Sequence, residues 1–204
     1  MATPTPPLLA RMVTEILAPW VLVLSLPLLV AWHATGNPYQ SLVWGTVVGV
    51  TGSVIPMAVV VRGARRGRWD GHHVTNREGR LVPLVTCVAS LGTGIAVLAL
   101  AGAPQRVLAL ALAMFLSLVV SIAVTFAAPV PGGRGWKISV HTAVAAGALG
   151  VLIVTFGLWT LVFSPAVALV GWSRVALGDH TVAQVVGGGA FGLVVGGVAF
   201  WWLV

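Results

Sequence analysis

The chain has 204 residues, of which 58% are hydrophobic and 7% charged, and its mean hydropathy is +1.03. Soluble domains are about one quarter charged, so these values exclude a water-soluble globular protein and point to an integral membrane protein. The net charge of +7 arises from eleven Lys and Arg against four acids. The arginines are packed into short loops between apolar runs, which favours anionic lipid or a phosphorylated substrate over nucleic acid.

A membrane-spanning helix needs roughly 20 apolar residues. Residues 1–11 are expected to be a disordered, Thr/Pro-rich N-terminus, and 12–204 a single transmembrane domain. The N-terminus lacks the basic n-region and cleavage site of a signal peptide, so the first apolar run, 12–32, is expected to be retained as a span. Pro19 and Pro27 are expected kinks in it. The turn Gly36-Asn37-Pro38 leads to a second run at 42–61, and the charged stretch 62–80 separates this from a third at 81–101. The single cysteine, Cys87, lies within that third run, so neither an intrachain disulfide nor a thiolate metal site is available.

Gly102-Ala103-Pro104 opens a fourth run at 107–128, and a Pro/Gly loop at 129–135 breaks the helix. A fifth run starts at Lys137 to His141 and ends near Leu158. A sixth, 161–174, carries Ser164-Pro165 near its start and is expected to be short. The last covers 181–204, with Trp201 and Trp202 suited to an interfacial belt. The pattern predicts an all-α polytopic transmembrane bundle of seven spans, or six if the Ser164-Pro165 segment does not cross.

Charge sets the expected orientation. Ten of the eleven basic residues fall on one side of this topology, with Arg106 alone on the other. The positive-inside rule makes the basic side cytoplasmic, and the plasma membrane the expected location. Arg62, Arg65, Arg66 and Arg68 read as juxtamembrane anchors. Three other polar clusters emerge on this same face, so a shared site is geometrically open to them.

In the first cluster, His73, Arg77 and Arg80 fall at i, i+4 and i+7, one face of a helix. Two guanidiniums there can grip a phosphate in bidentate fashion; the plainer reading is a solvated basic loop, with Asp70 and Glu78 as salt-bridge partners. In the second, Lys137 precedes Ser139, an expected N-cap, and His141 lies in the first turn. A helix N-terminus suits a phosphate oxygen, and His141 is placed to donate a proton. In the third, Arg174 ends one span and His180 begins the next. Gln184 is four residues beyond His180 and can hold one imidazole nitrogen, leaving the other for attack on phosphorus. Asp179 is the expected N-cap of the last helix. Gly188, Gly192 and Gly196, with Gly147 and Gly150 in the fifth run, read as helix-packing positions.

These residues resemble the signatures of the type 2 phosphatidic acid phosphatase superfamily. Ser173-Arg174, five residues, then His180 resembles its third motif, Ser-Arg-x5-His-x3-Asp. Lys137-Ile138-Ser139-Val140-His141 is similar to the second, Pro-Ser-Gly-His, and His73-x6-Arg80 to the first, Lys-x6-Arg-Pro, with Pro83 displaced. The three occur in family order from about Arg68 to the C-terminus. The resemblance implies a helical membrane enzyme that hydrolyses a lipid phosphate or an isoprenoid (di)phosphate. His180 would be the nucleophile and His141 the acid. Arg80, Arg174 and Ser139 would hold the phosphoryl oxygens, with Arg77 or Lys137 supplying the charge of the missing first-motif lysine. No cofactor is required, because the cations stabilise the charged transition state directly.

The chain departs from the family at Gln184, which stands where the family has an aspartate, and at His73, Ile138 and Val140. A neutral amide fixes a tautomer but does not stabilise an imidazolium; the related Asp→Asn change in a serine protease costs about four orders of magnitude. Two other readings therefore stand beside hydrolysis. One is Mg²⁺-assisted ionisation of a prenyl diphosphate, giving transfer or cyclisation, with Asp70, Asn76 and Glu78 as metal ligands. The other is non-catalytic binding of an anionic lipid.

Overall fold

The computed structural model describes residues 7–67, 81–127 and 138–204, and among them there is helix and no strand. Hydrocarbon offers no water to pair with backbone groups, so long apolar runs satisfy themselves as helices. Among the described residues six helical stretches are long and apolar enough to cross a membrane: Leu8–Thr35, Pro38–Arg65, Leu81–Leu100, Gln105–Phe126, Leu158–Ala176 and Val182–Leu203. Large apolar side chains such as Leu100, Leu116, Val186 and Val194 face outward, as a lipid solvent requires. The protein is an integral membrane protein with an all-α polytopic fold.

The first span is two helices, α1 (Leu8–Ile16) and α2 (Pro19–Thr35). They part at Ala18, whose backbone is extended because a residue before proline is driven out of the helical region. Pro27, the other expected kink, stays within α2. Leu8 to Arg11, assigned by sequence to a disordered N-terminus, are helical. The second span begins with α3 (Pro38–Gly49), capped by the Asn37 side chain. It widens into a π-helical turn at Val50–Val54 and continues as α4 (Ile55–Arg65). Pro56 brings no N–H to the ladder, and the chain loosens just ahead of it. α5 (Leu81–Leu100) and α6 (Gln105–Ala127) follow.

The short helix of the bundle is the fifth apolar run, not the sixth as expected. α7 (Val140–Phe156) has 17 residues, or roughly 26 Å at 1.5 Å per residue, a little under the ~30 Å hydrocarbon core. The sixth span is lengthened by a 3₁₀ segment, Leu158–Phe163, that runs into α8 (Ser164–Ala176). α7 packs against α2, α8 and the last span, and nine of its residues are buried. As the central helix it meets protein where the others meet lipid.

The last span comprises α9 (Val182–Phe191), a second π-helical segment (Gly192–Val198) and α10 (Ala199–Leu203). Glycines let it lie directly on α7. A Cβ at Gly188 would sit 2.5 Å from the Ser139 carbonyl oxygen, one at Gly192 would collide with the Ala143 carbonyl, and one at Gly150 would lie 2.8 Å from Gly197 Cα. The glycine spacing seen in the sequence is thus a packing seam.

Contacts between distant segments define the two ends of the bundle. At one end Thr14, Ser139, Arg174 and Gln184 join α1, α7, α8 and α9, and the exposed Arg62, Arg65 and Arg66 end α4. At the other, His33 meets Phe156 edge-on at 5.1 Å and Gln105 donates to the Leu203 carbonyl. Exposed Trp32, Tyr39, Trp159, Trp201 and Trp202 ring that second end, an interfacial aromatic belt.

Gly192→Ala tests the seam. In an ordinary helix the change gains up to about 1 kcal/mol, whereas overpacking against a carbonyl costs about 1–3 kcal/mol. The expected result is a lower unfolding temperature in detergent; an unchanged or raised one would show that the two helices are not in contact at this point.

Candidate functional site

Seven of the residues singled out in the sequence, His73, Arg77, Arg80 and Lys137 together with Asp70, Asn76 and Glu78, lie outside the described residues. Six others, Ser139, His141, Arg174, Asp179, His180 and Gln184, lie within them. All six stand at one end of the bundle, where α7 and α9 begin and α8 ends.

Ser139 caps α7, as its position before an apolar run implies. Its Oγ accepts from Thr142 N–H at 3.4 Å and from the Thr142 hydroxyl at 3.0 Å. Both bonds use its lone pairs, so its own hydroxyl hydrogen remains to be donated. Its backbone N–H donates to the Gln184 carbonyl at 3.0 Å, which ties the start of α7 to the first turn of α9. Ser139 is fully buried, and His141, two residues on, is 8% exposed.

The cap of the last helix differs from expectation. Thr181, not Asp179, is the N-cap of α9. Its Oγ1 accepts from Gln184 N–H at 3.3 Å, while Gln184 Oε1 accepts from Thr181 N–H at 3.2 Å, a reciprocal capping box. Thr181-x-x-Gln184 is a readable signature of this arrangement, and it is the signal missed. The physical reason is that Asp179 is drawn elsewhere. Just past the end of α8, Gly178, with a left-handed φ of +74°, turns the chain back so that Asp179 and His180 N–H both donate to the Arg174 carbonyl. Asp179 then meets Arg174 Nη2 at 2.7 Å.

The capping box decides the state of His180. Gln184 Oε1 lies 3.1 Å from His180 Nδ1 and is also the acceptor for Thr181 N–H. A backbone N–H only donates, so the amide atom facing it is the oxygen. An oxygen cannot donate to Nδ1, and Nδ1 therefore carries the hydrogen. In the neutral ring this leaves the lone pair on Nε2. His180 is 8% exposed.

Arg174 is 2% exposed, and its surroundings supply part of what a guanidinium needs. Asp179 takes one of its five N–H groups. Nη1 lies 3.5 Å from Thr14 Oγ1 on α1. Ser173 Oγ donates to the Val170 carbonyl at 2.7 Å, so in its 3.0 Å contact with Thr14 it accepts. Thr14 thus donates to Ser173 and has its lone pairs turned to Arg174. Glu15, next on α1, adds a second carboxylate to the field at Arg174. Nε is buried and has no partner among the described residues. An unmet buried donor costs about 1–3 kcal/mol, a cost that an incoming anion's oxygen would remove.

The arrangement therefore brings together two helix N-termini, a hydroxyl with a hydrogen to give, a buried guanidinium with an unmet donor and an imidazole held as one tautomer. Thr14 and Thr181 had no place in the sequence-based site. Thr14 reaches Ser173 across 159 residues, a contact with no local trace. Among the described residues no group of three His, Cys, Asp or Glu side chains is placed to hold a metal ion.

No family model, no curated protein and no solved structure matches this chain.

Thr14→Val preserves shape and removes the relay hydroxyl. A loss of about 1–3 kcal/mol of stability is expected, together with weaker binding of inorganic phosphate in a titration. Unchanged phosphate binding and stability would show that α1 has no part in holding Arg174.

Proposed function

We propose that this protein is a membrane hydrolase, a diverged member of the type 2 phosphatidic acid phosphatase superfamily. It cleaves a lipid phosphate or a prenyl (di)phosphate at the cytoplasmic face of the plasma membrane. The observation that carries this reading is the fixed tautomer of His180, which leaves the Nε2 lone pair on a residue whose backbone N–H donates to the carbonyl of buried Arg174.

In this reading the substrate's phosphoryl oxygens take the Ser139 hydroxyl hydrogen and the unmet Arg174 N–H, with Arg80 and either Arg77 or Lys137 completing the grip. His180 Nε2 attacks phosphorus while the bond from phosphorus to the leaving oxygen breaks. His141 gives that oxygen a proton, releasing an alcohol from a monoester or a monophosphate from a diphosphate. Water, losing a proton to His141, then attacks the phosphohistidine and frees inorganic phosphate. Gln184 holds the ring in its reactive tautomer throughout, and the developing charge is met by cations and helix N-termini without a cofactor.

A second reading is favoured by one observation, that the group on His180 Nδ1 is a neutral amide. Ionisation of a prenyl diphosphate needs a diphosphate grip and no phosphohistidine. It would use Mg²⁺, for which Asp70, Asn76 and Glu78 are the ligands the sequence offers.

Incubation of the purified protein with farnesyl diphosphate, with and without EDTA, separates these readings. Hydrolysis predicts phosphate release that survives EDTA and falls by roughly three orders of magnitude in His180→Ala. Hydrocarbon products abolished by EDTA would replace it with the ionisation reading. Binding without turnover would leave an anionic-lipid binder.

A further inference from the structure

A narrow apolar cavity of about 150 Å³ lies inside the bundle between the two π-helical segments. α2, α5, α6, α7 and the last span wall it, and both π segments contribute glycines: Gly52 from the first, Gly192 and Gly196 from the second. Among the described residues that line it, the hydroxyls are those of Ser117 and Ser121, and Ser117 already donates to the Ala113 carbonyl at 2.8 Å. A bound water needs two to four polar partners, and apolar cavities of about this volume stay dry and take hydrocarbon.

The position of the cavity gives its orientation. Ile138 and Val140, on either side of Ser139, line one end, and Val151 lines α7 further in. Along α7 from Val140 to Val151 is roughly 16 Å. A volume of about 150 Å³ over that length leaves room for one chain and not two. The glycines divide by role. Gly192 is committed to its contact with the Ala143 backbone, whereas a Cβ at Gly52 would meet only the ends of side chains, Met114 Cε at 3.0 Å and Val23 Cγ1 at 3.2 Å. A side chain at position 52 would enter the cavity.

We propose that this cavity binds the single hydrocarbon chain of the phosphorylated substrate, and that Gly52 limits how bulky a chain it takes. The identity of the group at the polar end rests on the hydrolase reading; the binding of the chain is tested without it. Two loosened turns on opposite walls make the width, and Ile138 and Val140, which flank the α7 cap Ser139, line its end.

The test uses the full chain in phosphatidylcholine nanodiscs and a phosphate-free probe, a farnesol-length isoprenoid alcohol carrying a terminal diazirine. After photolysis the labelled peptides are mapped by mass spectrometry. Label is expected on α6 and α7 around Met114 and Val151, displaced by excess farnesyl diphosphate and not by the surrounding phosphatidylcholine. Gly52→Leu should lower cavity labelling by roughly tenfold or more, and Leu100→Ala, on the outer surface of α5, should leave it unchanged. If Gly52→Leu does not yield folded protein, Ser121→Leu fills the cavity from α6 and must give the same loss. Label spread over lipid-facing positions such as Leu100 and Val186, or equal labelling in a folded cavity-filled variant, would overturn the proposal. Because the probe carries no phosphate, failure of the hydrolase assay with cavity labelling intact would refute the chemistry and leave the chain site standing.

Discussion

The contact on which the rest of the structure depends is the crossing of α7 and the last span at Ser139. One backbone hydrogen bond, Ser139 N–H to the Gln184 carbonyl, and one glycine, Gly188, set the distance between them. Every helix begins with N–H groups that lack intrahelical partners, and its N-terminus carries partial positive charge. Clamping two such ends together concentrates donors where neither helix alone would provide enough. Further along, Gly192 on Ala143 and Gly150 on Gly197 continue the crossing, and there the last span relaxes into its π-helical segment. Close approach and helix widening coincide, and the space left on the far side of the widened turn is part of the cavity.

The second constraint is a charge out of water. An ion brought into a low-dielectric interior costs several kcal/mol unless partners offset it, so Arg174 shapes everything around it. Gly178 turns the chain so that Asp179 returns to the guanidinium, and α1, set off from α2 at Ala18, brings Thr14 within reach. The result divides labour between two side chains that look interchangeable in sequence. The carboxylate of Asp179 serves the arginine, and the amide of Gln184 serves the histidine. A neutral partner fixes the ring without adding a charge beside it, at the expense of the support a carboxylate gives an imidazolium.

Much of this was legible in the sequence, where the signals are local. Apolar runs marked the spans because hydrocarbon admits little else, Ser139 read as a cap from its place before such a run, and His180 and Gln184 read as partners from their spacing. What was not legible depends on competition or distance. Asp179 has the chemistry of an N-cap, and only the pull of Arg174 from the preceding helix hands that role to Thr181. Thr14 lies in a segment that composition places at the margin of the bundle, and its partners are on the far side of the chain. The break at Ala18 follows from Pro19, but Pro27, the same residue type, leaves α2 continuous; neighbouring groups decide which proline interrupts a membrane helix. The π segments carry no simple signature, so the cavity between them was invisible.

The central claim is that Ser139 and Arg174, on separate helices, grip one oxyanion. A double-mutant cycle on inorganic phosphate affinity, using Ser139→Ala, Arg174→Gln and the pair, measures it most directly. Shared contact with one anion requires a coupling energy above about 0.5 kcal/mol. Additivity within about 0.3 kcal/mol, with each single variant weakening binding on its own, would mean that the two groups serve different ligands or none in common.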